Sequence, residues 1–527
     1  MTPFATSQPR TCQPTSSALP AGNPSRGTRR DWLALALLMF PVLLVAVDNT
    51  ALTFALPAIA GALNTSGVEL LWVVDAYPLV LAGLLVAMGS LGDRIGRRRL
   101  LIIGSIGFAA VSAATAFASN AGWLIAGRAA LGFFGAMLMP STLSLIRNIF
   151  PDPNRRRLAI AIWAAGFSGG AVLGPVFGGW LVEQFWWGAV LLVAVPIMLP
   201  LLILGPAFIP ESRDPSPGKV DAPSILLSLF TMAPVVYGIK EFATEGPGAA
   251  GLGTIAFGVL MGTVFVHRQQ RLPSPLLDLS LFRNRVFSMA ITANVLALFS
   301  FNGFILFLAQ HLQLIEGMSP SAAGMAMIPA LVATIVAGLA AVPAVRKIRP
   351  GFVVAAGLAM SAAGYSLVTF GSHAGGPSLL LAALLVLALG VGTAETISND
   401  LILGSAPPEK SGPAAAISET GYEVGALLGT AILGSILTAS YQHNLRLPAG
   451  ITEAAPASGT VHAGETLAGA MELAARLPQP LADAVRQAAA AAFDSGVHIT
   501  AAIGLVLMAT AAVLAAVVLR SVPKADG

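Results

Sequence analysis

The sequence predicts an all-α polytopic membrane protein with fourteen transmembrane helices, arranged as two six-helix halves plus two inserted helices. Three observations predict it. Of the 527 residues, 56% are hydrophobic and only 10% charged, with a mean hydropathy of +0.79, whereas soluble domains carry roughly 25% charged residues. Apolar runs of about 20 residues, enough to cross a bilayer, recur near 32–56, 70–91, 100–118, 122–148, 158–181, 187–208, 223–239, 251–266, 287–314, 322–345, 352–370, 379–402, 412–439 and 498–519. A glycine pattern repeats at an offset of 255: Gly170-Ala-Val-Leu-Gly174 in span 5 matches Gly425-Ala-Leu-Leu-Gly429 in span 13, and Gly166 matches Gly421.

Taken in order, residues 1–31 are rich in Pro, Ser and Thr, with Arg26, Arg29 and Arg30 before the first apolar run, and read as a disordered cytoplasmic tail. That run is too long for the apolar stretch of a signal peptide, and no small-residue cleavage site follows it. Residues 32–210 form the first six-helix half. Residues 211–285 hold inserted spans 7 and 8, short and rich in Gly and Pro, with cytoplasmic linkers. Residues 286–520 form the second half, interrupted between spans 13 and 14 by an extracellular loop at 441–497 with a short helix near Leu481 to Phe493. Residues 521–527 are a second cytoplasmic tail.

Charge placement fixes the expected orientation. With the N-terminus in the cytoplasm, 24 of the 29 Lys and Arg fall in tails and inner loops, Lys240, Arg446, Arg476 and Arg486 lie in outer loops or at their edges, and Arg128 lies within a helix. By the positive-inside rule both termini are cytoplasmic. The basic pI of about 9.5 thus reflects membrane topology rather than a nucleic-acid partner. The single Cys12 excludes an internal disulfide.

Between spans 2 and 3 runs Gly89-Ser-Leu-Gly92-Asp93-Arg94-Ile-Gly96-Arg97-Arg98-Arg99. Arginines are expected in any short inner loop; the preceding aspartate and spaced glycines are not. The pattern resembles the signature between helices 2 and 3 of the major facilitator superfamily of secondary transporters, and Arg346, Lys347 and Arg349 occupy the corresponding place in the second half as a worn copy. The resemblance implies the major facilitator fold, with the substrate site between the halves. Span 5 carries Gly166, Gly170, Gly174 and Gly178, four apart, with Pro175 and Gly179 beside them. Such a stripe permits close helix packing, and it also resembles the antiporter signature of proton-coupled exporters. In span 1, Val47-Asp48-Asn49-Thr50 and Ala55-Leu56-Pro57 resemble the first-helix signature of the fourteen-span drug:proton antiporters, the quaternary-ammonium and methyl-viologen efflux pumps. Asp75 in Trp72-Val-Val-Asp75-Ala-Tyr77 matches that family too. Arg128, in Gly127-Arg128-Ala-Ala-Leu-Gly132, resembles a superfamily position linked to proton transfer.

Ionisable residues inside apolar spans are costly and mark function by default. At 1.5 Å per residue, Asp75, Arg128 and Asp48 lie about 8, 9 and 12 Å from the outer helix ends, so the three are expected to meet. A permanent structural ion pair is the alternative reading. In span 13, Glu419 and Glu423 share one helix face, with Gly421 and Gly425 roughly 200° away, so the glutamates are expected to face a central cavity. Glu395 and Asn399 share a face of span 12, and Asp400 reads as a helix-end or gate residue. Two neighbouring carboxylates do not both ionise readily in a low dielectric, so such a pair holds either a proton or a cation.

The proton-coupling candidates are therefore Asp48, Asp75, Arg128 and Glu423, and the substrate-binding candidates Glu395, Asn399, Glu419, Glu423, Trp72 and Tyr77. Trp163, Phe167, Phe301, Phe304 and Phe307 are further aromatic residues suited to walls, and His311 reads as a hydrogen-bonded interfacial histidine. The chain has no P-loop and no metal-ligand spacing, so catalysis, ATP coupling, metals and cofactors are not expected. The resemblance implies a monomeric, proton-driven antiporter of the bacterial cytoplasmic membrane. It would export lipophilic cationic small molecules such as quaternary ammonium compounds, ethidium and acriflavine, and also fluoroquinolones. The alternative is a proton-coupled exporter of one endogenous metabolite, lipid precursor or antibiotic.

Overall fold

The computed structural model describes residues 29–213, 221–246, 248–272, 275–371, 376–407, 410–448, 451 and 457–524; the expected tail at 1–28, Cys12 within it, and residues 525–527 lie outside the described residues. Among the described residues, fourteen helices are long and apolar enough to cross a membrane. These are α1 (Arg29–Leu63), α2 (Gly67–Ile95), α3 (Arg97–Thr115), α4 (Ala121–Ile149), α5 (Pro153–Gln184), α6 (Ala189–Phe208), α7 (Ala222–Glu245), α8 (Ala249–Arg271), α9 (Arg285–Gln310), α10 (Pro320–Lys347), α11 (Pro350–Phe370), α12 (Gly376–Ser405), α13 (Ser411–Asn444) and, after the short helices α14 (Ala457–Glu465) and α15 (Leu467–Ala475), α16 (Gln479–Val518). Local chemistry sets their starts. Ser66 and Glu69 form a reciprocal capping box at α2, and Asn120, Asp152 and Ser319 accept backbone N–H groups at the starts of α4, α5 and α10. Each relieves the unpaired donors of a first helical turn.

Apolar packing separates into two large clusters. One is built from α1 to α6 with Leu306 added, the other from Leu281 onward with Phe54 added. Inside each, a glycine stripe brings two helices together: Gly170, Gly174 and Gly178 of α5 lie against Leu43 to Ala51 of α1, and Gly425 and Gly429 of α13 against Val295 to Phe299 of α9. Between the clusters, Gly179 abuts the Pro320 backbone and Gly324 the Pro175 backbone, joining α5 to α10. Gly67 against Thr438 and Gly434 against Leu71 join α2 to α13. These approaches lie at the helix ends opposite the Gly89–Arg99 connection. Space between the clusters therefore widens toward that connection.

Helices α7 and α8 pack on each other, and α7 also lies along α2 and α13, where Leu79, Val236, Leu427 and Ala431 form a small buried cluster. Two elements differ from expectation. α7 runs six residues beyond 239, to Glu245, so Lys240 is a buried intrahelical residue rather than an outer-edge one. α16 starts at Gln479 and absorbs the short helix expected near Leu481 to Phe493. After Pro480 no proline interrupts it, and Gly496 packs against Leu437. What remains of the 441–497 loop is largely α14 and α15, anchored where Tyr441 Oη donates to the carbonyls of Ala463 (2.9 Å) and Thr466 (3.2 Å).

Candidate functional site

A cavity of about 400 Å³ lies between the two clusters, lined by Met139 of α4, Trp163, Phe167 and Ser168 of α5, Asn294 of α9, Glu395 and Asn399 of α12, and Ser418, Glu419, Tyr422 and Glu423 of α13. The three glutamates singled out from the sequence all face it. Helical geometry is the cause: residues 419, 422 and 423 occupy one face of α13, and Gly421 and Gly425 the opposite face against α9. Aromatic rings line the wall between the halves, with Trp163 stacked on Phe167 at 6.3 Å and Phe167 edge-on to Tyr422 at 6.0 Å. Asn399 Oδ1 accepts from Asn294 Nδ2 (3.2 Å) and Ser418 Oγ (2.5 Å), so the amide is held in place. Asp400 is exposed.

Two further spaces continue this cavity. One of about 390 Å³ shares Met139, Ala415 and Glu419 with it and reaches Gly89, Asp93, Arg97 and Arg147. The other, about 90 Å³, shares Phe167, Tyr422 and Glu423 and holds Asn49, Thr50, Arg128, Phe301 and Thr430. Glu423, 5% exposed, thus borders both the large cavity and the chamber of Arg128.

Arg128 Nη1 lies 2.7 Å from Asp48 Oδ2, with the two side chains 2% and 5% exposed. Its Nε donates to the Val73 carbonyl (3.1 Å), and its guanidinium sits 4.6 Å from the Tyr77 ring centre. Asp75 does not join them, contrary to the expectation from depth. Its carboxylate takes Lys240 Nζ at 2.8 Å and the Thr430 hydroxyl. Depth along the helices is similar, but azimuth separates the groups: Asp75 and Tyr77 are two residues apart, about 200° around α2, so one faces α7 and α13 and the other faces Arg128. The same geometry corrects the placement of two proposed substrate contacts. Tyr77 is fully buried between Arg128 and Phe108, and Trp72 lies beneath Lys240, 4.0 Å from its ammonium. Neither lines the glutamate cavity. Phe304 and Phe307 are buried packing residues, and His311 sits 3.5 Å from both Glu316 and Asp494 at the outer end of α9.

Within the Gly89–Arg99 stretch the chain turns at Gly96 alone; Gly89 and Gly92, expected to help it turn, lie inside α2, which runs to Ile95. Gly96 adopts φ +112°, a region that only glycine enters without strain, and an added Cβ would lie 2.7 Å from Glu211 Oε1. Asp93 pairs with Arg97 at 2.7 Å, one turn on. Glu211, just after α6, accepts the Arg98 N–H (3.0 Å), and Arg97 N–H donates to the Ser212 carbonyl (2.9 Å). An anion at the start of α3 replaces the capping side chain that Gly96 lacks. Arg94 is exposed, Gly92 approaches Leu100, and Gly89 approaches Pro140.

Sequence reasoning did not single out Lys240, Glu211, Asn294, Tyr422 or Thr430. For Lys240 the signal existed: extending span 7 by one turn places a lysine inside an apolar helix. For Glu211 no local signal exists, because its partner lies 113 residues away.

Comparison with known proteins agrees with the fold. The profile described as "Major Facilitator Superfamily" matches residues 38–430. The chain is 51% identical over 501 residues, 95% of this chain and 99% of the other, to the "Multidrug efflux pump LfrA" of Mycolicibacterium smegmatis. It is 36% identical over 471 residues, 88% and 93% of the two chains, to the "Methyl viologen resistance protein SmvA" of Salmonella typhimurium. Among solved structures, a bacterial homologue of the human lysosomal transporter Spinster aligns with a TM-score of 0.65 at 18% identity, covering 95% of this chain and all of that one, which supports the fold. By its fold and these matches, the chain belongs to the major facilitator superfamily.

Proposed function

We propose that this protein is a monomeric antiporter that exports lipophilic, cationic drugs from the bacterial cytoplasm in exchange for protons. The observation that carries the reading is that Glu395, Glu419 and Glu423 face one aromatic-walled cavity with no Lys or Arg among its described lining residues. Carboxylates and ring faces together suit a delocalised organic cation. The names of the relatives support the class: one is a multidrug efflux pump, and another confers resistance to methyl viologen, itself a bipyridinium cation.

In this mechanism the drug enters from the side of the Gly89–Arg99 connection, which the positive-inside rule assigns to the cytoplasm together with both termini. It binds ionised Glu419 and Glu423, with Glu395, Asn399 and the Trp163–Phe167–Tyr422 wall orienting it. The six-helix halves then rock about the cavity on their glycine-lined contacts. A proton from outside reaches Glu423 through the Arg128 chamber and neutralises it, which removes the attraction that held the cation. Arg128, released from or returned to Asp48, sets the charge of that chamber, and Asp75 takes a proton in the same phase. After the return swing the proton leaves to the cytoplasm. Competition of proton and cation for the same carboxylate drives the exchange.

The test is ethidium efflux from proteoliposomes under an imposed pH gradient. Efflux is expected to depend on the gradient and to be lost in Glu423→Gln and Asp48→Asn. Purified, folded protein that moves no lipophilic cation refutes the multidrug reading and leaves a dedicated exporter of one metabolite, lipid precursor or antibiotic.

A further inference from the structure

Lys240 is 1% exposed and Asp75 is fully buried, deep among apolar helices, with Nζ and Oδ2 2.8 Å apart. A buried ion pair is weak evidence of stabilisation, because desolvation offsets the attraction. α7 has other contacts as well: Ser228 Oγ donates to the Gly83 carbonyl (3.1 Å), and Val236 sits in the cluster with Leu79, Leu427 and Ala431. The position of the pair is what is informative. Asp75 belongs to α2 in the first half, and Thr430, which donates to it, belongs to α13 in the second. Lys240 belongs to neither. Thr430 also lines the Arg128 chamber, two helical turns from Glu423.

We propose that Lys240 is a coupling residue and that the inserted helix α7 moves with the transport cycle, locked to the α2–α13 seam by the Lys240–Asp75 pair and released when Asp75 takes a proton. The inference rests on the proton-coupled reading above. A proton adding to an Asp75 oxygen leaves a neutral carboxyl and removes its charge attraction for the Lys240 ammonium; the proton departs from the same oxygen later, and Lys240 keeps its own throughout. The Trp72 ring, 4.0 Å from Nζ, holds the ammonium in the interval. Groups facing Lys240 include Asp75 and the Trp72 ring from α2, and Thr430 through Asp75 from α13. Tyr237, 6.4 Å from Trp72 by ring centres, and Glu241 accompany it on α7. With Asp75 neutral its hold on Lys240 and on the Thr430 hydroxyl weakens together, and α2 and α13 are then free to separate where Gly67, Leu71, Gly434 and Thr438 now meet, as outward opening requires.

The test uses full-length protein in proteoliposomes, with ethidium as the probe, and compares Lys240→Met, Lys240→Arg and the double variant Lys240→Met/Asp75→Asn. Lys240→Met is expected to bind ethidium within about threefold of wild type while gradient-driven efflux falls more than tenfold. Lys240→Arg restores most of it, and the double variant stays uncoupled. Wild-type efflux in the double variant overturns the proposal, because it reduces the pair to a packing contact. A second measurement covers misfolding: with Cys12→Ser, a mercury-bridged Val236→Cys/Leu427→Cys pair ties α7 to α13 and is expected to stop efflux. Undiminished efflux from the bridged protein overturns the proposal. Failure of Lys240→Met to alter coupling refutes the inference alone, whereas absence of gradient-driven efflux in wild type refutes it together with the antiport reading.

Discussion

Gly421 and Gly425 lie one turn apart on the same helix, flank Glu423, and are chemically identical, yet the structure assigns opposite signs to their replacement by alanine. A Cβ on Gly425 would lie 2.5 Å from the Val295 carbonyl oxygen, 3.0 Å from Leu298 Cβ and 3.1 Å from Val295 Cα; on Gly421 the nearest atom is Val295 Cγ2 at 3.4 Å, an ordinary contact. Gly425→Ala therefore forces α9 away by about 0.9 Å, the difference between 3.4 and 2.5 Å. Overpacking of this kind costs about 1–3 kcal/mol, against which the helical preference of alanine over glycine returns about 0.5–1 kcal/mol. At Gly421 only the favourable part applies. The two variants should thus differ by about 1–3 kcal/mol, with Gly425→Ala below wild type and Gly421→Ala at or above it. Thermal unfolding in detergent, followed by tryptophan fluorescence without substrate, measures the order. The retreat of α9 also draws Asn294 from Asn399, so ethidium affinity should fall in Gly425→Ala only. Equal rises in the unfolding midpoint of both variants would refute the argument that this stripe is a close helix contact.

Asp48→Asn leaves the buried Arg128 guanidinium without the carboxylate it pairs with, and breaking a buried pair on one side costs about 3–5 kcal/mol; Asp48→Asn/Arg128→Met should regain much of the thermal stability but no transport. Glu211→Ala removes the acceptor at the start of α3 and should cost about 1–2 kcal/mol, as loss of an N-cap does, with the unfolding midpoint as readout. Gly96→Ala combines a strained φ of +112° with a Cβ 2.7 Å from Glu211 Oε1, so it should lower both stability and transport more than Gly89→Ala, whose nearest neighbour is Pro140 Cβ at 3.7 Å. On the loop side, hydrogen bonds from Lys410 and Ser280 hold the Asp278 carboxyl below its usual value of 3.8. A lowered value means that its contribution is complete above 3.8 and fades as pH falls through the folded-state value, so Asp278→Asn should leave the pH profile of efflux between 5.5 and 8 unchanged. A changed profile in that window would contradict this assignment.

The sequence by itself determined a great deal here, because bilayer physics constrains short stretches of chain one at a time. The number of spans, the Gly96 turn and the glycine stripes are local patterns that appear where the spacing puts them, whereas Lys240, placed at an outer edge from the sequence, lies buried inside α7. The face of α13 was legible too: Glu419 and Glu423 on one side and Gly421 and Gly425 on the other follow from helical rotation alone, and the glutamates do face a common cavity with Glu395 and Asn399. Pairing between helices was not legible. Depth placed Asp48, Asp75 and Arg128 at one level, but which of them touch depends on the rotation of α2 about its axis and on the helix that covers its outer face. Tertiary packing alone decided that Asp75 takes Lys240, that Tyr77 serves Arg128 rather than the cavity, and that Glu211 caps α3 across 113 residues of chain. The physical reason is that a buried charge needs a partner, and a helix presents that need in one direction only. The sequence states the need and its depth; the packed neighbours decide what answers it.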